Sequence, residues 1–71
     1  MEYITKKEFE NIPKEYKTTI AETIRIHKQM YNEDITKLYE DLGYDTKKDF
    51  MILASSEKGT ILKPIKIKEE N

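Results

Sequence analysis

Cysteine and tryptophan are absent from this chain, glycine and proline occur twice each, and histidine once. Without cysteine there are no disulfides and no thiolate metal sites, and a single histidine cannot anchor a metal unless several carboxylates join it. Two glycines cannot build a glycine-rich phosphate cradle. Arginine is also scarce: Arg25 stands alone among 13 basic residues, and these are balanced by 14 acidic ones. Phosphate and base-edge recognition favour arginine's planar fork and leave a domain basic, so specific nucleic-acid binding is not expected. No apolar run approaches the roughly 18 residues of a membrane span, and Met1–Asn11 is too polar for a signal peptide. The expected location is cytoplasmic, without membrane contact.

What remains is a 71-residue chain of 38% charged and 37% hydrophobic residues. A chain this short buries only about 60% of its unfolded surface, so oligomerisation or partner binding is the expected supplement to its core. Its apolar residues are periodic. Ile12, Tyr16, Ile20, Ile24, His27, Tyr31, Ile35, Leu38 and Leu42 recur at steps of three or four, the spacing of one helical face. That stripe is the expected surface of a homodimer.

Local signals divide the stripe. Thr5-Lys6-Lys7-Glu8 reads as a capping box, with Ile4 and Phe9 at the flanking staple positions, and predicts a helix from Thr5 that ends before Pro13. Pro13 then opens a second helix to Tyr31. The β-branched Thr18, Thr19, Ile20, Thr23, Ile24 and Ile26 make a strand over Thr19–His27 the rival reading, but its alternation mixes charge with isoleucine. A helix running on to Leu42 would reach about 45 Å in a domain expected to span about 30 Å, so Asn32-Glu33-Asp34 is the expected break. There Asn32 caps a third helix, and Glu33 is placed to pair with Lys37. Gly43 ends that helix. Beyond a polar turn at Tyr44–Lys48, Phe50–Ala54 and Thr60–Lys68 flank the turn-forming Ser55–Gly59 and read as a β-hairpin. Pro64 lacks a ladder donor, which makes the last strand an edge or turns Pro64 outward. Met1–Ile4 is a candidate third strand, and Glu69–Asn71 a frayed tail. The expected fold is therefore α+β: one small domain, helical over 5–43 with a β-hairpin over 49–68, in which two or three helices pack on a small antiparallel sheet.

Few residues offer chemistry. His27 alone titrates near neutrality in its ordinary state, and its place on the stripe predicts a packed, hydrogen-bonded residue at the core's rim. Ser55 and Ser56 are turn formers. Glu33-Asp34 and Glu40-Asp41 are adjacent pairs, which a helix points about 100° apart, so neither converges on one substrate atom. Asp45 and Asp49 lack the glycine and glutamate of a calcium loop and read as turn caps. Lys58, Lys63, Lys66 and Lys68 form a possible basic ribbon, or protect an edge strand from aggregation. Tyrosine supplies five of the seven aromatics, and it is enriched at interfaces because it buries area at low entropic cost while keeping a polar tip. No catalytic, cofactor-binding or metal-ligating residue is expected. Tyr39, Tyr44, Lys63 and Lys66 are the expected partner-binding residues.

The opening Tyr3-Ile4-Thr5-Lys6-Lys7-Glu8-Phe9-Glu10-Asn11-Ile12-Pro13-Lys14-Glu15-Tyr16-Lys17 and the closing Phe50-Met51-Ile52-Leu53 and Gly59-Thr60-Ile61-Leu62-Lys63-Pro64-Ile65-Lys66-Ile67 resemble small accessory proteins of phages and mobile elements in low-GC Gram-positive bacteria. The resemblance implies a short first helix ending at a proline turn, a closing hairpin, and a non-enzymatic protein that binds and blocks or redirects a host protein such as a defence nuclease. A nucleic-acid-associated regulator and a small-ligand-binding oligomer are the alternative readings.

Overall fold

The computed structural model describes residues 3–68. In chain order these form strand β1 (Tyr3–Thr5), helix α1 (Lys6–Asn11), a single 3₁₀ turn (Lys14–Tyr16), strand β2 (Lys17–Thr19), helices α2 (Ile20–Tyr31) and α3 (Thr36–Asp41), and strands β3 (Phe50–Ser56) and β4 (Gly59–Lys68). The four strands make one sheet in the order β1-β4-β3-β2. The α+β class and the C-terminal hairpin are as expected, but the sheet is mixed: β1 runs parallel to β4, with Tyr3 opposite Lys66 and Thr5 opposite Lys68.

At the first helix, the Thr5 hydroxyl accepts from the Glu8 amide at 3.1 Å while the Glu8 carboxylate accepts from the Thr5 amide at 3.3 Å, the reciprocal capping box. Thr5 also closes β1, so the expected strand at Met1–Ile4 appears as Tyr3–Thr5, with Met1, Glu2 and the expected frayed tail Glu69–Asn71 outside the described residues.

The expected helix from Pro13 is where sequence and structure part. Pro13 precedes only one 3₁₀ turn, and Lys17–Thr19 is a strand, paired antiparallel with Phe50–Ile52. The three-and-four spacing of Ile12, Tyr16 and Ile20 imitates a helix across three different elements. The sheet edge wins because Thr18 and Thr19 suit extended backbone, and Thr19 in that conformation caps α2: its hydroxyl accepts from the Glu22 amide at 3.1 Å.

The expected break after Tyr31 is present, with its roles redistributed. Asn32 adopts left-handed geometry (φ 54°) and stops α2, its amide donating to the Lys28 carbonyl at 2.8 Å. Asp34, not Asn32, satisfies the start of α3 by accepting from the Thr36 amide at 2.9 Å. At the far end of α3, the Gly43 amide donates to the Glu40 carbonyl and the Tyr44 amide to the Tyr39 carbonyl, each at 3.0 Å, with Gly43 at φ 92°. This is the Schellman pattern, which brings the residue after the glycine back against the helix's last turn. Tyr44 and Tyr39 meet the same core through it.

Register and alternation divide the sheet into two faces. On one, Met51 lies in a cluster with Ile20 and Ile24 of α2 and with Tyr44, against which Ile35 and Tyr39 pack. On the other, Ile65 stands opposite Phe50, whose ring lies 4.5 Å from that of Phe9 in α1. Lys17 ties α1 down on the same face: its ammonium donates to the Phe9 carbonyl at 2.9 Å and sits 4.3 Å above the Phe9 ring. Ile20 and Ile65, at 0% and 1% exposed, are the centres of the two layers.

β3 and β4 pair along their whole length from Phe50–Ile65 to Ser56–Gly59, so the turn is confined to Glu57-Lys58 rather than spread over Ser55–Gly59. The flanking strands cover only one end, β2 at Phe50–Ile52 and β1 at Lys66–Lys68. From Leu53 to Leu62 the hairpin therefore continues as a two-stranded ribbon. Pro64 lies before the point where β1 begins. At Pro64 β4 is therefore an edge, as expected, and from Lys66 onward β1 makes it an inner strand, which the expectation of an edge had not included.

Candidate functional site

The four expected partner-binding residues fall in different settings. Tyr44 is 9% exposed in the core cluster and Tyr39 is half-buried against it, so Tyr44 is a packing residue and offers no exposed aromatic anchor. Lys66 faces Tyr3 across the parallel ladder, and its ammonium donates to Asp49 Oδ2 at 2.8 Å while lying 5.8 Å from the Tyr44 ring centre. That hydrogen bond raises the Lys66 pKa, since the neighbouring carboxylate favours the charged ammonium. Lys63 is half-buried opposite Ile52. Lys63 also stands three residues from Lys66, which puts the two on opposite faces of the strand, and Lys58 lies in the turn. The four lysines therefore form no continuous ribbon.

Around Lys66 the loop between α3 and β3 is self-satisfied. Asp49 Oδ2 accepts from the Asp45 amide at 2.7 Å, and Asp45 Oδ1 accepts from the Lys47 and Lys48 amides at 2.9 and 3.3 Å. These amide donors, Lys47 first, hold the Asp45 carboxyl below the ordinary range. Both aspartates cap the turn as their spacing implies. The cleft beside them, about 640 Å³ and lined by Glu40, Gly43, Tyr44, Asp45, Thr46, Lys47 and Lys66, mixes both charge signs.

His27 is packed as expected, but its Nε2 meets no hydrogen-bond partner among the described residues. Its ring lies 4.7 Å from that of Tyr31, and its Nε2, shielded from solvent, is 3.7 Å from the Glu33 carboxylate. Glu33 thus approaches His27 instead of the expected Lys37. Among the described residues, no three His, Asp or Glu side chains gather as a metal site, and no helix is long and apolar enough to cross a membrane.

The conspicuous surface is apolar. Ile26 and Met30 lie one turn apart on α2, Tyr31 closes that helix, and Leu38 and Leu42 lie one turn apart on and just after α3, all between 43% and 67% exposed. Tyr31, Leu38 and Leu42 belong to the predicted stripe, of which Ile20 and Ile24 alone are buried. Sequence reasoning passed over Ile26 and Met30, although their spacing of four residues marks a second helical face. The ribbon is apolar on both faces: Leu53 and Leu62 are exposed on one, with Tyr16 lining the same groove as Leu53, and Ile61 is exposed on the other. Ile12, Tyr16, Leu53, Ser55 and Thr60 line a groove there of about 330 Å³. No family model, curated protein or solved structure matches this chain.

Proposed function

We propose that this chain is a non-enzymatic protein-interaction module of the phage or mobile-element kind, cytoplasmic and homodimeric, that inhibits or redirects a host protein such as a defence nuclease by occupying its surface. The observation that carries this reading is the outer surface of α2 and α3, where Ile26, Met30, Tyr31, Leu38 and Leu42 stand exposed. Exposed side chains of this size on two successive helices that are otherwise rich in charge are the kind that protein partners cover. Amphipathic helices bind partners through anchors repeated at i and i+4, the spacing of Ile26 with Met30 and of Leu38 with Leu42. The dispersed lysines and the self-satisfied aspartate turn favour a protein partner over nucleic acid.

The experiment is capture from nuclease-treated Gram-positive host lysate on the tagged chain, followed by mass spectrometry. One dominant host protein is expected on the wild-type chain, and it is lost from Met30→Asp and Leu38→Asp variants whose circular dichroism is unchanged. Each anchor should contribute roughly 1–2 kcal/mol of binding, about tenfold in affinity. Retention of the protein by both variants, or capture of nucleic acid alone from untreated lysate, overturns the reading.

A further inference from the structure

We infer that a second copy of this chain pairs with the uncovered edge of β3, so that two sheets join antiparallel across a twofold axis at Ser55. β2 occupies the line beside β3 only as far as Ile52, and beyond it, among the described residues, Leu53–Ser56 has no strand on that side. The other margins of the sheet carry features that discourage edge pairing. β1 and β2 are three residues long, β2 carries Lys17, and the stretch of β4 before β1 begins contains Lys63 and Pro64. Leu53-Ala54-Ser55-Ser56 has neither charge nor proline. Its backbone donors and acceptors on that side call for another strand, which an apolar ligand or a helix cannot supply.

Geometry selects a copy of the same strand. In an antiparallel pair related by a twofold axis normal to the sheet, opposed residues share a face, so the register must oppose residues of the same alternation. Centring on Ala54 would bring Ser56 of the partner onto Ile52, where β2 already pairs. Centring on Ser55 opposes Ser55 with itself and Ala54 with Ser56, and the partner chain turns away at Glu57 beside the end of β2. The three paired residues of each strand, Ala54–Ser56, thus fit within the four-residue open stretch. The groove of Ile12, Tyr16, Leu53, Ser55 and Thr60 adjoins this line and holds no charged side chain in a chain that is 38% charged, so the partner's hairpin end meets an uncharged wall.

The inference builds on the proposal that the chain is an interaction module, but uses a different surface from α2 and α3. Its test is sedimentation equilibrium up to millimolar protein. The wild-type mass should rise with concentration toward twice 8.5 kDa. Ser55→Lys and Ser55→Asp should each remain monomeric, because like charges fall directly opposite one another, and an equimolar mixture should recover the dimer. The chain has no cysteine, so oxidised Ser55→Cys should give a single cross-linked dimer, and Leu38→Cys should not. A wild-type monomer throughout, a mixture that stays monomeric, or faster cross-linking at Leu38→Cys overturns the edge pairing. A monomer that still captures the host protein discards this inference and the homodimer with it, and keeps the reading as a module that binds a host protein; a Ser55-centred dimer that captures none does the reverse.

Discussion

The two ends of the hairpin share strands, hydrogen-bond ladder and register, yet they are built for different tasks. At the end that includes Met51 and Ile65, β1 and β2 widen the sheet to four strands, α1 covers one face, and α2 with Tyr44 covers the other. At the end that includes Leu53, Ile61 and Leu62, the same two strands stand alone with all three side chains exposed. A two-stranded ribbon is marginal by itself in water. Its order is therefore borrowed from the covered end, and its sequence is free to serve contacts outside the monomer.

The most severe way to break the contrast is to hollow the covered end. Ile20→Ala and Ile65→Ala should each destabilise the fold by about 3 kcal/mol in urea unfolding, from lost burial together with the cavity left behind. Comparable losses for Ile61→Ala would show that the ribbon carries core packing after all. Next comes Gly43→Ala, which forces a side chain into left-handed backbone at the Schellman turn and should cost about 1–2 kcal/mol by the same measurement. Thr19→Ala removes the cap of α2 at the sheet edge, with an expected loss of about 1 kcal/mol.

Titration gives a smaller effect confined to the loop that braces the covered end. Because Asp45 is held below its ordinary pKa, its contribution is complete at neutral pH and is lost as pH falls below about 4. The melting temperature of Asp45→Asn should lie below that of the wild-type chain at pH 7, and the gap should narrow as pH falls below about 4. Lys66 has the opposite sign: its raised pKa makes the Asp49 contact persist at neutral pH and weaken above about 10.4. Smallest of all, Ile61→Thr should change stability by less than about 0.5 kcal/mol, since it alters an exposed position on the ribbon.

What could be read from the sequence follows from how local each signal was. The Thr5–Glu8 capping box, the Gly43 helix stop and the hairpin are written within a few adjacent residues, and all three are present. The strand Lys17–Thr19 was hidden because three residues carry almost no periodic signal, and Ile12, Tyr16 and Ile20 happened to fit a helical one. The settings of Tyr44 and Lys66 are not legible for a related reason. Turning Tyr44 inward depends on the hydrogen bonds of the Schellman turn, and covering Lys66 depends on a strand more than sixty positions earlier in the chain. Neither effect is contained in the residues next to them.

That distant pairing has a consequence for how the molecule assembles during synthesis. Of the four strands, β4 leaves the ribosome last, yet it lies between β1 and β3 and supplies Ile65, the centre of one of the two packed layers. Until it emerges, β1 has no neighbour to pair with, and Phe50, against which Phe9 lies, lacks the residue that stands opposite it. The helices and the β2–β3 contact can form early, but the sheet closes in one late step, after nearly every contact it stabilises has already been translated. Such closure between distant segments slows folding relative to a chain of local contacts, and it leaves the nascent protein open along its middle until its final strand arrives.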